Sequence, residues 1–150
     1  MIVAAKISVW TVQNPAYSFA QIKGLRPLFH IKKLKWKYNM INLTNIQQLE
    51  ELDQVSKEKA LVIFKHSTRC SISNTAFNRF TKAYENVSKE DLPVYYLDLL
   101  NHRDISAEIA SRYSVQHESP QSLLIKNGTC IHHASHFEID LQEIVEAAKA

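Results

Sequence analysis

One cysteine stands among polar side chains at a boundary between two patterns. The stretch Phe64-Lys65-His66-Ser67-Thr68-Arg69-Cys70-Ser71-Ile72-Ser73 overlaps the end of the apolar run Leu61-Val62-Ile63-Phe64 and precedes an amphipathic run from Thr75 to Tyr84. This reads as a buried strand, a polar turn and a helix, with Cys70 where the helix begins. The free N–H groups and positive dipole end of a helix N-terminus stabilise a thiolate, the nucleophilic form of the side chain. Ser73 sits where a dithiol redox site carries its second cysteine. Cys70 is therefore read as a redox nucleophile that works without that neighbour. The alternative for a lone cysteine is a buried structural role. The polar residues His66, Ser67, Thr68, Arg69, Ser71 and Ser73 argue against deep apolar burial.

The second cysteine, Cys130, lies 60 positions further on. It would resolve Cys70 only if the two Cα atoms came within ~7 Å. A strand-core role is the expectation, because free cysteine is among the most buried residue types. Cys130, His132, His133 and His136 also raise a metal reading. Strand alternation puts Cys130 and His132 on one face and His133 on the other. The four do not form a standard zinc spacing, so no metal site is expected.

The elements that must position Cys70 follow from periodicity. Thr44-Asn45-Ile46-Gln47 reads as a capping box, and Ile46, Leu49, Leu52 and Val55 recur at helical spacing. Ala60 to Lys65 reads as a strand buried on both faces. A helix is expected from about Ser73 to Asn86, burying Ala76, Phe77, Phe80 and Tyr84. Val94 to Leu99 is the next strand, parallel to the first, with Asp98 as a strand-end polar contact. Asn101 or Asp104 caps a helix that turns Ile105, Ile109, Ala110 and Tyr113 inward. Gln121 to Lys126 and Thr129 to Ala134 form a hairpin about Asn127-Gly128. Asp140 opens a last helix carrying Ile144, Val145 and Ala148. The order is α-β-α-β-α-β-β-α, a central mixed four-stranded sheet flanked by helices.

Composition narrows the function. At 150 residues and 45% hydrophobic content the chain suits one folded domain. Two glycines leave no phosphate-binding loop of the GxGxxG or GxxxxGK kind. No apolar run approaches the roughly 18 residues of a membrane span. The net charge of +3 is split: residues 1–39 hold seven basic residues and no acid, and residues 40–150 hold the other 11 against all 15 acids. The folded part is thus acidic, and no nucleic-acid partner is expected. Residues 1–39 read as a basic N-terminal extension, non-native or disordered. Rival readings are a surface-binding arm and an organelle presequence. The abrupt change of charge favours translation from Met40. Residues 40–150 form the domain, and a reducing cytoplasm is the expected setting.

That order, a Cys at the start of the helix after the first strand, and Ser119-Pro120 directly before the third strand resemble the thioredoxin fold. The resemblance implies a cis-proline at Pro120 facing the active-site cysteine. More closely, the chain resembles the monothiol bacilliredoxin family. The likeness is carried by Phe64-Lys65-His66-Ser67-Thr68, Cys70 with Ile72-Ser73, Tyr96-Leu97-Asp98-Leu99, His117-Glu118-Ser119-Pro120-Gln121, and Asn127-Gly128 leading to His133-Ala134-Ser135-His136. It spans Met40 to about Ala148 and excludes residues 1–39. The family commonly has Thr-Cys-Pro-Ile-Ser; here Arg69 precedes Cys70 and Ser71 follows it. Losing that proline removes a favoured first-turn residue, while a cation beside a thiol favours the thiolate.

The resemblance implies a thiol-disulfide oxidoreductase of the cytosol of bacillithiol-using Firmicutes. Its partners would be S-bacillithiolated client proteins, bacillithiol as thiol co-substrate, and the bacillithiol disulfide-reductase system, with no tightly bound cofactor. Cys70 would be the nucleophile. Arg69, Ser73, His117, Ser119 and Pro120 would contact substrate, and Lys65 and His66 join Arg69 and His117 as candidates to face bacillithiol's carboxylates. Rival functions are a transferase for another small thiol, an arsenate-type reductase, an iron–sulfur cluster carrier of monothiol-glutaredoxin type and a redox-silent interaction module.

Overall fold

Apolar and amphipathic runs alternate from Met40 onward, and the backbone follows them. The computed structural model describes residues 40–150, so the expectations for residues 1–39 lie outside the described residues. The elements are β1 (Ile41–Asn42), α1 (Gln48–Glu58), β2 (Leu61–His66), α2 (Ser71–Tyr84), β3 (Val94–Asp98), α3 (Arg103–Arg112), β4 (Gln121–Lys126), β5 (Thr129–Ser135) and α4 (Leu141–Lys149). A single 3-10 turn, His136–Glu138, joins β5 to α4. The sheet order is β1-β3-β2-β4-β5. Strands β1, β2 and β3 run parallel, whereas β4 and β5 are antiparallel to their neighbours.

The apolar run of β2 makes it the central strand, and Leu61, Val62, Ile63 and Phe64 are all 0% exposed. Alternation sends Val62 and Phe64 to one face, against Ala76, Phe80 and Tyr84 of α2 and Ile144 of α4. Leu61 and Ile63 take the other face, against Leu49 and Leu52 of α1 and Ile105 and Ile109 of α3. Each such side chain contributes about 1.5–3 kcal/mol on burial. Ser119–Pro120 is a cis peptide. Among the described residues, no helix is long and apolar enough to cross a membrane.

Several local expectations need correction. The sheet has five strands rather than four, and the cis-proline therefore precedes the fourth. The added strand, β1, is only two residues long, too short for an alternation to be read. The capping box is shifted by one residue. Asn45 Oδ1 accepts from Gln47 N at 3.0 Å, and Gln48 Oε1 reaches back to accept from Asn45 N at 3.0 Å and Thr44 N at 2.8 Å. Helix α2 begins at Ser71, two residues early, which makes Cys70 itself the N-cap. His102, not Asn101 or Asp104, is the N-cap of α3. The Asp98 carboxylate instead orders that turn, accepting from Leu100 N at 3.1 Å and Asn101 Nδ2 at 2.9 Å.

The hairpin turn Asn127-Gly128 has φ of 53° and 70° at its two residues, as a tight turn of two left-handed residues demands. In β5 the register slips: Leu124 faces His132 but Ile125 faces Cys130, so Ile131 is an extra residue. This bulge reverses one expectation. His132 falls on the face of Leu124 and Cys130 on that of Ile125, so the two lie on opposite faces of the sheet. Among the described residues, no group of three or more His, Cys, Asp or Glu is placed to hold a metal ion.

Candidate active site

The turn after β2 is pinned from behind. Ser73 is 0% exposed, and its Oγ accepts from Ser67 N at 2.9 Å. Cys70 N donates to Ser67 O at 3.1 Å, and Cys70 O accepts from Asn74 N at 2.9 Å. Cys70 holds the extended backbone of an N-cap (φ −99°, ψ 124°), and its side chain makes no capping hydrogen bond. Cys70, half-buried, thus stands at the N-terminus of a 14-residue helix that carries no acid in its first turn.

Beneath the turn, alternation divides two neighbours. His66 faces α2 and is 5% exposed. Its Nε2 donates to Asn74 Oδ1 at 3.0 Å, which leaves Nδ1 to accept from the Tyr96 hydroxyl at 2.9 Å. The ring stacks on Phe77 with centroids 4.7 Å apart. Burial pushes the His66 pKa down, against the raising pull of the Asn74 hydrogen bond and the Asp98 charge. It ties the end of β2 to β3 and to the first turn of α2.

Lys65 faces α3 and is 0% exposed. Its ammonium donates to His117 Nδ1 at 2.7 Å and Gln121 Oε1 at 3.0 Å. Since lysine only donates, His117 carries its proton on Nε2. Burial pushes the Lys65 pKa down to about 8. The His117 pKa is also lowered, by burial first and then by the Lys65 charge. Gln121 Nε2 donates to Gln116 O at 2.9 Å and so straps the loop before the cis-proline onto the sheet.

That loop is held on its far side as well. Glu118 accepts a short hydrogen bond from the Ser135 hydroxyl, and His136 N donates to Pro120 O at 3.0 Å. Pro120 is buried, and Ser119 Oγ is buried with no hydrogen-bond partner among the described residues. Arg79 Nη2 donates to Phe137 O at 2.8 Å and Ile139 O at 2.7 Å, fixing the turn after β5.

Cys130 occupies a different environment. It packs against the apolar cluster of the α1/α3 face, paired in register with Ile125, and its Sγ lies 3.3 Å from His132 O. Burial pushes its thiol up, away from the thiolate. Ile125, its partner in register, faces Leu61 at the start of β2, whereas Cys70 lies beyond His66 at the end of β2. Five strand steps separate Leu61 from His66, roughly 16 Å. A disulfide needs Cα atoms within about 7 Å, so this fold does not bring the two cysteines together.

Of the residues singled out from sequence, Cys70, His117, Ser119 and Pro120 lie on loops at one end of the sheet. Arg69 is exposed on the turn before Cys70. Ser73 lies behind that turn, where it positions the backbone and has no surface for substrate. Asn74 and Ser106 were not singled out from sequence, and Tyr96 and Gln121 entered only within the segments that carry the family likeness. The signal for Gln121 was a polar residue opening an apolar strand.

Comparison with known proteins matches this geometry. The family model of the monothiol bacilliredoxin BrxC matches residues 41–144. A solved thioredoxin-fold protein, provisionally assigned as an oxidoreductase, shares 34% identity over 74% of this chain and 95% of its own, with a TM-score of 0.62. Thioredoxin of Fasciola hepatica has the same fold at 21% identity, over 73% of this chain and 99% of its own, with a TM-score of 0.56. Thioredoxin of Malassezia sympodialis is similar at 17% identity, over 73% of this chain and 88% of its own, with a TM-score of 0.58. A single cysteine capping α2, a serine in the second-thiol position and a cis-proline loop at the same sheet end make this a thiol redox protein with the thioredoxin fold, and the chain belongs to the monothiol bacilliredoxin family.

Proposed function

We propose that this protein is an enzyme that removes bacillithiol from S-bacillithiolated client proteins in the cytoplasm. The Cys70 thiolate attacks the bacillithiol sulfur of the mixed disulfide. The Cys70–bacillithiol S–S bond forms as the client S–S bond breaks, and the client thiolate leaves and takes up a proton. A second bacillithiol, as thiolate, then attacks the adduct on Cys70, releasing Cys70 and bacillithiol disulfide for an external reductase. Rates follow the thiolate character of the attacking group and the pKa of the leaving one.

The observation that carries this reading is Ser73. It stands in the second-thiol position, fully buried and bonded to Ser67 N. No thiol lies within reach to expel the adduct, so an external one must. Extended backbone beside Pro120 offers groups for the client strand. The test is intact-protein mass after mixing reduced protein with a bacillithiolated client. Wild type should gain one bacillithiol and release a free client thiol, and Cys70→Ser should do neither. Wild type that leaves the client unchanged would refute the proposal.

A further inference from the structure

Lys65 is a buried cation without a counter-charge. None of the described carboxylates pairs with it, and several are engaged elsewhere. Glu118 is bonded to Ser135, Asp98 to Leu100 N and Asn101, and Asp53 and Glu108 to Arg112. Its two hydrogen-bond partners, His117 and Gln121, are neutral and leave one N–H of the ammonium over. Buried charges are otherwise paired. This one lies beneath a cleft of about 370 Å³ lined by Leu99, Arg103, Ser106, Ala107 and His117.

The cleft's wall is largely apolar, with Leu99 and Ala107 in it, and its polar groups come from Arg103, Ser106 and His117. With Nδ1 held by Lys65, His117 presents Nε2–H. Ser106 Oγ stands 3.3 Å from the same Nδ1. Arg103 is exposed and makes no ion pair among the described residues. It opens the ten-residue helix α3, whose N-cap His102 supplies no side-chain bond to the free N–H groups. One acid, Asp104, is exposed on the same turn. Two links join the cleft to the segments that carry the Cys70 site. Leu99 N donates to His66 O at 3.1 Å, and His117 stands two residues before Ser119.

We propose that this cleft binds a carboxylate of the small thiol that exchanges at Cys70, with Arg103 and His117 touching the anion and Lys65 positioning His117 from below. The inference rests on the proposed function, in which that thiol is bacillithiol. The cleft's size suits one small acid. Binding there makes and breaks no covalent bond; it sets where the sulfur lies against Cys70.

The test uses the full chain and two probes, oxidised bacillithiol and the neutral bis(2-hydroxyethyl) disulfide. The readout is the ratio of their second-order rate constants with Cys70. Arg103→Gln and Lys65→Met should each lower that ratio about tenfold, the worth of one charge-assisted hydrogen bond, and Arg103→Lys should restore most of it. An unchanged ratio, with both rates falling together or neither, would overturn the proposal. Arg103 is exposed, so its variants decide the matter even if Lys65→Met fails to fold. Slower release of a client at an unchanged ratio would reassign the cleft to an acidic client segment and overturn it too. Wild type that reacts with the neutral probe but not with oxidised bacillithiol would instead sink the proposed function, and with it the ligand assigned here.

Discussion

The two ends of the sheet treat a cysteine in opposite ways. Near the start of β2, Cys130 packs against the apolar α1/α3 face, paired in register with Ile125, with its thiol pushed up by burial. Beyond the end of β2, Cys70 caps α2, and the chain behind it is polar and bonded. Lys65, His66, Ser73 and Gln121 are all buried there, and each reaches another segment. An apolar setting makes a cysteine a small hydrophobe, whereas a helix N-terminus on a rigid polar base makes it a nucleophile. The comparison also separates fold from function. The apolar end is a sandwich layer, and the polar end carries the chemistry.

The largest test of this contrast is Cys70→Ser. It should slow thiol exchange by about a thousandfold or more, as loss of a nucleophile does. Cys130→Ser should leave the exchange rate within about twofold of wild type, since Cys130 takes no part in the step. Both are measured as client thiol released per unit time. Comparable losses in the two variants would erase the distinction between the ends.

Next in size is the buried charge at the polar end. The Lys65 pKa falls from 10.5 to about 8 on folding. Between those pH values the unfolded chain binds more protons, so stability from this residue rises with pH. Below pH 8 the full penalty is present, about 3 kcal/mol at 1.36 kcal/mol per unit. Lys65→Met removes it. The stability difference, variant minus wild type, should therefore be largest below pH 8 and shrink by about 3 kcal/mol by pH 10.5, as read by urea unfolding. A difference independent of pH would show that Lys65 is not a buried cation.

A smaller effect is expected at Ser73. Ser73→Ala leaves Ser67 N without its partner and should cost about 1–3 kcal/mol. It should also slow exchange, because the turn that presents Cys70 loosens. Urea unfolding and the exchange rate measure the two effects. Unchanged values for both would mean that the turn needs no pin. The smallest effect is stability in Cys130→Ala, about 1–2 kcal/mol lower through the lost packing, with exchange kept.

What could be read from sequence was local. Cys70 at a helix start, the Asn127-Gly128 turn and the central strand Leu61–Phe64 are each written in a few adjacent residues. What could not be read depended on distant partners or on small slips. Lys65 reads as the last residue of a strand buried on both faces, but the partners that hold its ammonium, His117 and Gln121, lie more than 50 residues away. The bulge at Ile131 has no mark in the sequence, and it alone moved His132 to the other face. Strand β1 is recognisable only by its pairing of Ile41 with Tyr95. Ser73 was legible as the missing second thiol, but its bond to Ser67 N was not.

The central claim is that one cysteine exchanges and the other does not. Peptide mass mapping after exposure of the reduced full chain to oxidised bacillithiol tests it most directly. The account predicts one bacillithiol on the Cys70 peptide and a free thiol at Cys130. A disulfide joining the Cys70 and Cys130 peptides, with loss of about 2 Da in place of the adduct, would contradict it.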